Sequence, residues 1–474
     1  MAGVFGIKNA LQVTFQMMHA MQYRGEQSAG VVLADKNNEI FYERELDRVT
    51  DLARKVGFES LQRERGDDFF AGIGHLRYGT SGDRQSRENA QPLAAHKENW
   101  SIYIAHNGDT PFYDQMKQGL LVSGTVFGTT SDTELILKFI GEAKSSDPFS
   151  AISQGLSRYR GTYALTMLLQ VNGVAYLVAA RDPSGNRPLV LGSMNGGYLV
   201  ASEDTAFEAV GGETLREINP GEMVVVSKGG ITSSKIPAGS INGVPPRLYA
   251  CMFELIYFSF PNSTIFGIPV CEFREELGGI VANRLGHEVK LEHVITNVPD
   301  SSNSFADGFA KALEIPLERV IVRRHFGRSF TQDTTVKREY TTRTKHSFAK
   351  NKVKDRVVWC LDDSIVRGIT SRRVVRALRS MGAKEVRMIS ASPPIIGPCK
   401  KGVDFDNDLI AAKYAVGGEP DIEKIRQDIE ADRLYYATIE DLKEALRVLK
   451  RNRGAENDFC FGCFENKDPI WNAW

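Results

Sequence analysis

The chain has 474 residues, of which 42% are apolar, and its 59 lysine and arginine residues balance 59 aspartate and glutamate residues. This length predicts two domains, and the apolar content is sufficient to fill two cores. The zero net charge argues against nucleic acid and anionic membranes as partners, and the lack of a secretory signal or of an apolar run near ~18 residues predicts a soluble cytoplasmic protein.

Residues 1–240 predict an α+β layout in which strands outnumber helices. Glycine-containing turns separate β-rich runs such as SIYIAHNGD, GYLVASED and GEMVVVSKGG, a spacing that is typical of short strands. Helical patterns lie at Leu11–Tyr23, near Asp132–Ala143 and near Pro148–Tyr159. The segment 239–246, GSINGVPP, is rich in glycine and proline and therefore predicts a linker.

After Arg247 strands, loops and helices alternate, which predicts a parallel sheet with crossover helices. The predicted strands lie in HVITNVPDS, RVIVRR, VVWCLDDS and EVRMISASPP, and the predicted helices lie in SFADGFAKALEI and SRRVVRALRSMGA. Residues 323–354 form a long basic stretch without periodicity, which suits a lid over a diphosphate or a solvated surface loop. Residues 419–452 are predicted to be helical and amphipathic.

The segment Val357–Arg373, VVWCLDDSIVRGITSRR, predicts a pocket for a sugar phosphate. A buried parallel strand delivers Asp362 and Asp363 to the carboxyl edge of a sheet, where ligands bind in open α/β folds. The following turn, Ser364–Ser371, can direct backbone N–H groups at a phosphate, and the next helix adds its positive N-terminus. The segment thus offers carboxylates to sugar hydroxyls or Mg²⁺ and amides to a phosphate.

Six cysteines are too few for a disulfide scaffold in a chain of this length, so thiols or metal ligands are expected. Cys460 and Cys463 form a C-x-x-C near the C-terminus. This spacing alone is compatible with a redox pair, half of a zinc site, half of an iron–sulfur site or two incidental residues.

Motifs along the whole chain resemble one enzyme family. In the first half these are QYRGEQSAG, GHLRYGTSG, ENAQPL, AHNGD, TTSDTE, RDPSGNRPL and ASED, and in the second half they are ITNVPDSS, RRHFGRSFTQD and VVWCLDDSIVRGITSRR. Together they resemble the glutamine phosphoribosylpyrophosphate (PRPP) amidotransferases, also called amidophosphoribosyltransferases. The resemblance implies an N-terminal-nucleophile hydrolase-type (αββα) glutaminase domain over 1–240. An α/β phosphoribosyltransferase-type domain with a parallel sheet is implied over 247–474, ending in a helical tail and the C-x-x-C.

In the glutaminase half, the resemblance implies that Arg77 holds the glutamine carboxylate and that Asp132 holds its amino group. Asn107 and the Gly108 amide are implied to form the oxyanion hole. Such donors suit amide hydrolysis, because each is worth ~3 kcal/mol when it is preset where negative charge develops.

In the transferase half, the resemblance implies a Mg²⁺ site and a PRPP site. Ser301, Asp362 and Asp363 are the implied Mg²⁺ ligands. The implied PRPP contacts are Asp362, Asp363, Ser364, Arg367, Gly368, Thr370, Ser371, Arg328 and Lys345. Gly327 lies beside Arg328 in the loop that resembles the family's flexible loop over the diphosphate, and Arg343 is a further basic position near the ligand.

Some family members carry a structural [4Fe–4S] cluster that ties the C-terminal tail to the body. The contexts of its ligands resemble Cys251, Cys399, Cys460 and Cys463 here, which matches the ligand count of a cubane. A four-cysteine zinc site is the competing interpretation. Cys271 and Cys360 are left over and are expected to be buried structural thiols.

The largest departure from the family is at Ala2, where the family has its N-terminal cysteine nucleophile. A methyl group cannot attack a carbonyl, and residues 3–12 offer no cysteine, serine or threonine in its place. Further departures are Asp109 for asparagine, Ser302 for glycine, Val322 for lysine and Asp333 for proline. This spread favours a naturally divergent chain over a single engineered Cys-to-Ala change.

These features predict an amidophosphoribosyltransferase-like enzyme that makes 5-phosphoribosylamine and diphosphate from PRPP with ammonia, because its glutaminase half is inactive. The resemblance also implies purine nucleotides as inhibitors and a homo-oligomer, either a tetramer or a dimer. The alternative is a non-catalytic PRPP- or nucleotide-binding regulator or scaffold. A DNA-binding regulator is disfavoured, because no helix-turn-helix or basic recognition element precedes the second domain.

Overall fold

A computed structural model describes residues 1–79, 83, 86–237, 248–323, 346–403, 405, 408–450 and 455–468. The predicted linker 239–246 and the predicted ligand residues Arg328 and Lys345 lie outside the described residues. Within the described part of the chain, no helix has the length and apolar character that crossing a membrane requires.

The described strands and helices have the following bounds. The strands are β1 (Ala2–Phe5), β2 (Ser28–Asp35), β3 (Ile40–Leu46), β4 (Phe69–Arg77), β5 (Leu93–His96), β6 (Trp100–Asp109), β7 (Thr162–Val171), β8 (Val174–Arg181), β9 (Val190–Met194), β10 (Gly197–Ala201), β11 (Glu213–Glu217), β12 (Glu222–Ser227), β13 (Gly230–Lys235), β14 (Ala250–Cys251), β15 (Thr264–Ile265), β16 (Ile268–Pro269), β17 (Val294–Asn297), β18 (Ile321–Arg323), β19 (His346–Phe348), β20 (Val357–Asp362), β21 (Glu385–Ser390), β22 (Ala415–Val416), β23 (Glu419–Pro420), β24 (Arg433–Tyr436) and β25 (Phe459–Cys460). The α-helices are α1 (Ala10–Ala20), α2 (Val49–Lys55), α3 (Phe58–Arg65), α4 (Tyr113–Val122), α5 (Asp132–Gly141), α6 (Pro148–Arg158), α7 (Thr205–Glu208), α8 (Val270–Leu285), α9 (Asn303–Ala312), α10 (Ile369–Ser380), α11 (Ile410–Lys413), α12 (Ile422–Asp428), α13 (Ile439–Lys450) and α14 (Gly462–Glu465).

The first half contains two antiparallel sheets stacked face to face. Their strand orders are β11-β9-β10-β1-β4-β2-β3 and β13-β12-β8-β7-β6-β5. One apolar core, which includes Ile73 and Leu168, fills the space between the sheets. A second core joins α1 to the seven-stranded sheet, and a third joins α5 and α6 to the six-stranded sheet. The layers are therefore helix, sheet, sheet and helix, which confirms the predicted αββα fold.

Helix α1 approaches the seven-stranded sheet closely because the sheet has glycine beneath it. A Cβ atom at Gly74 in β4 would lie 2.3 Å from the sulfur of Met18, so a larger residue would displace the helix. β1 lies between β4 and β10 in this sheet, and its four residues are all buried. This packing fixes the N-terminus of the chain at the centre of the first half.

The second half contains a four-stranded parallel sheet with the order β17-β20-β21-β24. Alternate residues of β20 face opposite cores, because side chains alternate across a strand. Trp359 packs in the core shared with α8, α9 and α13, whereas Val358 packs in the core shared with α10 and α12. Helices thus cover both faces, as predicted for a phosphoribosyltransferase-type α/β fold.

Two predictions for the second half are wrong in detail. The run RVIVRR does not join the parallel sheet, because β18 pairs antiparallel with β19, which lies within the predicted basic stretch 323–354. The segment 419–452 is not wholly helical, because Arg433–Tyr436 forms β24, the last strand of the parallel sheet. The helical patterns on both sides of this short strand hid it in the sequence.

Candidate functional site

One cavity in the first half collects four residues that were predicted to bind and activate glutamine. Arg77 ends β4, Asn107 and Gly108 lie near the end of β6, and Asp132 is the first residue of α5. All four line the same cavity. The other lining residues are Met1, Arg24, His75, Leu76, Tyr78, Gln91, His106, Ser131, Arg187, Ser202, Phe258 and Gly402.

The predicted oxyanion region is tightly packed around Gly108. A Cβ atom at this position would lie 2.1 Å from the carbonyl oxygen of Thr162, so the strand pairing here admits only glycine. The neighbouring N–H of His106 donates to Oε1 of Gln91 at 2.6 Å. These contacts hold the end of β6 in one position, as preset donors require.

Two buried histidines face the same cavity. Nε2 of His75 donates to the carbonyl of His106 at 3.0 Å. Burial, with the adjacent N-terminal amine, holds the pKa of His75 well below its usual value, so this ring is neutral. Nδ1 of His106 lies 3.6 Å from Oδ2 of Asp132.

Asp109 places a second acidic group beside the predicted amino-group ligand. It is buried at the end of β6, where its Oδ1 accepts from the N–H of Thr110 at 2.8 Å. Burial and the nearby charge of Asp132 raise the pKa of Asp109 to about 8. The family has a neutral asparagine at this position, so the substitution adds a titratable group to the site.

No cysteine is among the described residues that line this cavity. Ala2 is fully buried, and it pairs with Gly74 on one side and with Ala201 on the other. The N-terminal amine of Met1 lies in the cavity and donates to Oγ of Ser202 at 3.0 Å. Burial and the charge of Arg24 lower the pKa of this amine to about 5, so it is uncharged at neutral pH.

Sequence reasoning missed a buried ion-pair network at the back of the cavity. Arg24 pairs with Glu203 and with Glu254, the latter at 2.8 Å, and Arg187 pairs with the same Glu254 at 2.9 Å. Burial acts to raise the pKa of Glu254, but the two guanidinium groups outweigh it and lower the pKa to about 2. Both arginines lie inside recognised motifs, QYRGEQSAG and RDPSGNRPL, whereas Glu254 lies in the second half of the chain.

The predicted Mg²⁺ ligands lie together at the end of β20. The Ser301 hydroxyl donates to Oδ1 of Asp363, and the Ser364 hydroxyl donates to Oδ2 at 2.7 Å. Asp362 is buried beside Asp363, whose backbone N–H donates to Oδ1 of Asp362 at 3.0 Å. Burial and the charge of Asp363 raise the pKa of Asp362 well above its usual value. Two buried carboxylates with a hydroxyl beside them form a donor set that suits a divalent cation.

The predicted phosphate turn ends earlier than expected. Gly368 has φ +72° and directly precedes α10, so Thr370 and Ser371 lie in the first helical turn. A residue other than glycine would be strained at this positive φ. In addition, its Cβ atom would lie 2.6 Å from the side chain of Ile410. Thr370 is exposed and Ser371 is buried. Arg367 is half exposed and lies 3.9 Å from Oδ2 of Asp408.

Three segments bring the four predicted cluster cysteines together. Cys251 in β14 lies opposite Cys460 in β25, where the two strands pair in parallel. The carbonyl of Cys463 accepts from the backbone N–H groups at 396–397, which lead to Cys399. Burial and then the charges of the other three thiols raise the pKa of Cys463 well above its usual value, which places the four in one neighbourhood.

The spacing of these thiols bears on the kind of metal site. Among the described residues, no three cysteine, histidine or carboxylate side chains lie close enough to share a single metal ion. Four thiolates satisfy the ligand count of either a [4Fe–4S] cubane or a single zinc ion. The prediction for the remaining cysteines is half wrong, because Cys360 is buried but Cys271 is partly exposed.

A short π-helix, Glu254–Phe258, connects the two sites. Phe258 lines the cavity and packs edge-on against Tyr78, with ring centroids 6.0 Å apart. On the other side, burial and the nearby charge of Asp363 raise the pKa of Tyr257 to about 12. One helical segment therefore lines the cavity on one side and lies within electrostatic reach of the carboxylate pair on the other.

Comparison with known proteins gives consistent results. A family model described as a glutamine amidotransferase domain matches residues 76–209. The amidophosphoribosyltransferase of Bacillus subtilis is 36% identical over 472 residues, covering 98% of this chain and 93% of the relative. The amidophosphoribosyltransferase of Archaeoglobus fulgidus is 35% identical over 480 residues, covering 99% and 98%.

Two solved structures match the fold of nearly the whole chain. One is the glutamine PRPP amidotransferase from B. subtilis complexed with ADP and GMP, with a TM-score of 0.85 and 35% identity. The alignment covers 99% of this chain and 96% of that chain. A second structure, described as the allosteric regulatory enzyme of purine biosynthesis, also has a TM-score of 0.85, with 99% and 95% covered.

Proposed function

The chain belongs to the amidophosphoribosyltransferase family, and from that premise we propose that it makes 5-phosphoribosylamine and diphosphate from PRPP and ammonia. The observation that carries the proposal is the buried pair Asp362 and Asp363 at the end of a parallel strand. The hydroxyls of Ser301 and Ser364 both donate to the carboxylate of Asp363. Such a strand end is where α/β sheets bind ligands.

The transferase residues act by positioning and by charge. Asp362 and Asp363 would hold the ribose hydroxyls and, with Ser301, a Mg²⁺ ion, which when bound offsets the charge of the departing diphosphate. The turn before α10 presents backbone amides to the 5-phosphate. Ammonia attacks C1 as the C1–diphosphate bond breaks, the diphosphate keeps the bonding electrons, and the new nitrogen loses its extra proton to solvent.

In the glutaminase half, we propose that glutamine binds without being hydrolysed. Arg77 and Asp132 remain for its carboxylate and amino group, and Asn107 and Gly108 remain around its amide. The supporting observation is that the methyl group of Ala2 lies buried in the sheet and that no thiol faces the cavity within the described residues. A site with oxyanion donors but no nucleophile lacks the first covalent step.

We propose that Cys251, Cys399, Cys460 and Cys463 hold a [4Fe–4S] cluster with a structural role. Their convergence from three segments, with Cys251 opposite Cys460, supports a shared site, and the resemblance of their sequence contexts to the family's cluster ligands favours iron–sulfur over zinc. The cluster when bound would supply a covalent link between the C-terminal tail and the body. Iron and sulfide analysis after anaerobic purification tests it, and zinc alone would contradict it.

Regulation and assembly remain proposals drawn from the family. The B. subtilis relative was solved with ADP and GMP, which supports purine nucleotides as inhibitors here. We also propose a homo-oligomer, a tetramer or a dimer, in the cytoplasm, with domains at 1–240 and 247–474.

The alternative function is a PRPP- or nucleotide-binding regulator without catalysis. One observation favours it: Val322, at a position where the family has lysine, is 52% exposed and offers no charge to a diphosphate. Diphosphate release from PRPP and Mg²⁺ discriminates the two, measured separately with ammonium and with glutamine in ammonia-free buffer. We expect turnover with ammonium only. PRPP binding without turnover would favour the regulator, and turnover with glutamine would contradict the inactive glutaminase.

A further inference from the structure

Arg187 is a buried cation with one terminal amino group left over. Its Nε donates to the carbonyl of Lys401 at 2.9 Å, and its Nη1 donates to Glu254 at 2.9 Å. Its Nη2 is buried and has no hydrogen-bond partner among the described residues. Because the side chain is only 1% exposed and a buried charged donor without an acceptor is costly, this nitrogen calls for a ligand.

The guanidinium lies between the cysteine site and the glutamine cavity. The carbonyl of the preceding residue, Asn186, accepts from the N–H of Cys251 at 3.0 Å, and Lys401 follows Cys399 by two residues. A Cβ atom at Gly402 would lie 3.1 Å from Nη2 of Arg187 and 3.0 Å from the carbonyl oxygen of Gly108. Arg187, the loop after Cys399 and the predicted oxyanion residue are therefore in direct contact.

The charges around the cysteine site match this placement. A [4Fe–4S] cluster with four thiolates carries net negative charge, and hydrogen bonds to its sulfurs raise its reduction potential. The Lys401 ammonium is already paired with Asp468 at 3.0 Å. Burial acts to lower the pKa of Arg187. The thiol of Cys251, the carboxylate of Glu254 and the thiol of Cys399 act in the opposite direction, and the net effect is a raised pKa.

We propose that Arg187 is a positioning residue shared by the two sites, with its Nη2 donating to a sulfur of the cluster at Cys251 and Cys399. Its other two donors hold the Lys401–Gly402 loop and Glu254 against the glutamine cavity. Loading of the cysteine site thereby tightens the Gly108 side of that cavity. This inference rests on the iron–sulfur cluster proposed above.

The test compares the full chain reconstituted with iron and sulfide under anaerobic conditions with the variants Arg187→Gln and Arg187→Lys. Iron and sulfide are counted, and the reduction potential is followed by electron paramagnetic resonance. We expect Arg187→Gln to keep its cluster at a more negative potential. In parallel, calorimetric glutamine titration should show about tenfold tighter binding to the loaded than to the iron-free chain, and this ratio should fall to about one in both variants.

The control is Arg216→Lys, an arginine of the same half whose guanidinium pairs with Glu222 instead. It should change neither the potential nor the ratio of glutamine affinities. If Arg187→Gln does not fold, Arg187→Lys still tests the proposal. Its single ammonium group cannot bond the Lys401 carbonyl, Glu254 and a cluster sulfur at the same time. An unchanged potential, or equal glutamine affinity of loaded and iron-free parent, overturns the role of Arg187 alone. A parent that takes up no iron overturns the proposed cluster as well.

Discussion

We predict that position 2 decides which nitrogen donor the enzyme uses. Ala2→Cys, with Met1 removed so that the new residue carries the terminal amine, should restore glutamine-dependent diphosphate release. The reason is that Arg77, Asn107, Gly108 and Asp132 already line the cavity at which this terminus lies. The measurement is glutamate formed per diphosphate released.

Ala2→Ser with the same processing is the matched control, because its hydroxyl is a much weaker nucleophile than a thiol. It should give a rate at least tenfold below that of the cysteine variant. Ammonia-dependent turnover should be the same in all three proteins, since Ala2 lies in the antiparallel sheet of the first half, whereas Asp363 follows a strand of the parallel sheet. A cysteine variant that remains unable to use glutamine would show that the cavity has lost more than its nucleophile.

Asp109 makes stability depend on pH. Its pKa is about 8 in the folded protein and near 4 in the unfolded chain, so the folded state binds this proton more tightly. The resulting stabilisation of the folded state is complete below about pH 4 and is lost as the pH rises to 8. Asp109→Asn cannot ionise and should therefore be more stable than the parent at pH 8 to 9, by up to ~5 kcal/mol, but similar at pH 4.

Thermal unfolding at several pH values measures this difference. Asp67→Asn, which changes an exposed carboxylate paired with Lys8, is the control and should leave the pH profile unaltered. Parallel profiles for the parent and Asp109→Asn would mean that Asp109 ionises normally in the folded protein.

The π-helix between the two sites depends on Arg274 of α8. This buried arginine donates from Nε to the carbonyl of Leu255 and from Nη2 to the carbonyl of Ser259, each at 2.8 Å. Arg274→Gln cannot span both carbonyls, so the segment around Phe258 should loosen. We expect faster amide exchange over 254–259 and roughly fivefold weaker glutamine binding, although Arg274 does not line the cavity.

Arg284→Gln provides the comparison, because Arg284 lies on the same helix and bonds Tyr436 and Asp441 instead. It should leave both the exchange over 254–259 and the affinity for glutamine unaltered. Equal glutamine affinity in parent and Arg274→Gln would show that the π-helix does not shape the cavity.

The success of sequence prediction depended on how local each signal was. Asp362 and Asp363 were correctly predicted to lie at the end of a parallel strand, because a strand, a turn and a helix follow one another within a single segment. β24 was missed because four residues between two helices carry too little periodicity of their own. The Arg24–Glu254 pair was missed because its partners are 230 residues apart, and only the folded chain brings them together.

That ion pair joins the two halves of the molecule. Glu254 precedes the parallel sheet, whereas Arg24 and Arg187 belong to the αββα fold, and all three side chains are nearly inaccessible to solvent. Removing one partner of a buried pair leaves the opposite charge uncompensated, which costs ~3–5 kcal/mol. The contact should therefore make the halves unfold together.

Glu254→Gln tests this coupling with almost no change in shape. At pH 7 we expect a lower Tm and a single calorimetric transition split into two, because two buried guanidinium groups lose their shared counter-charge. The pKa of Glu254 is lowered to about 2, so its stabilisation is present above about pH 4.5 and is lost as pH falls toward 2. The difference in Tm between parent and variant should therefore narrow as the pH falls over that range.

Glu222→Gln is the control, because it breaks the Arg216 pair within the first half. It should lower Tm without splitting the transition. A single transition in Glu254→Gln would mean that other contacts couple the halves.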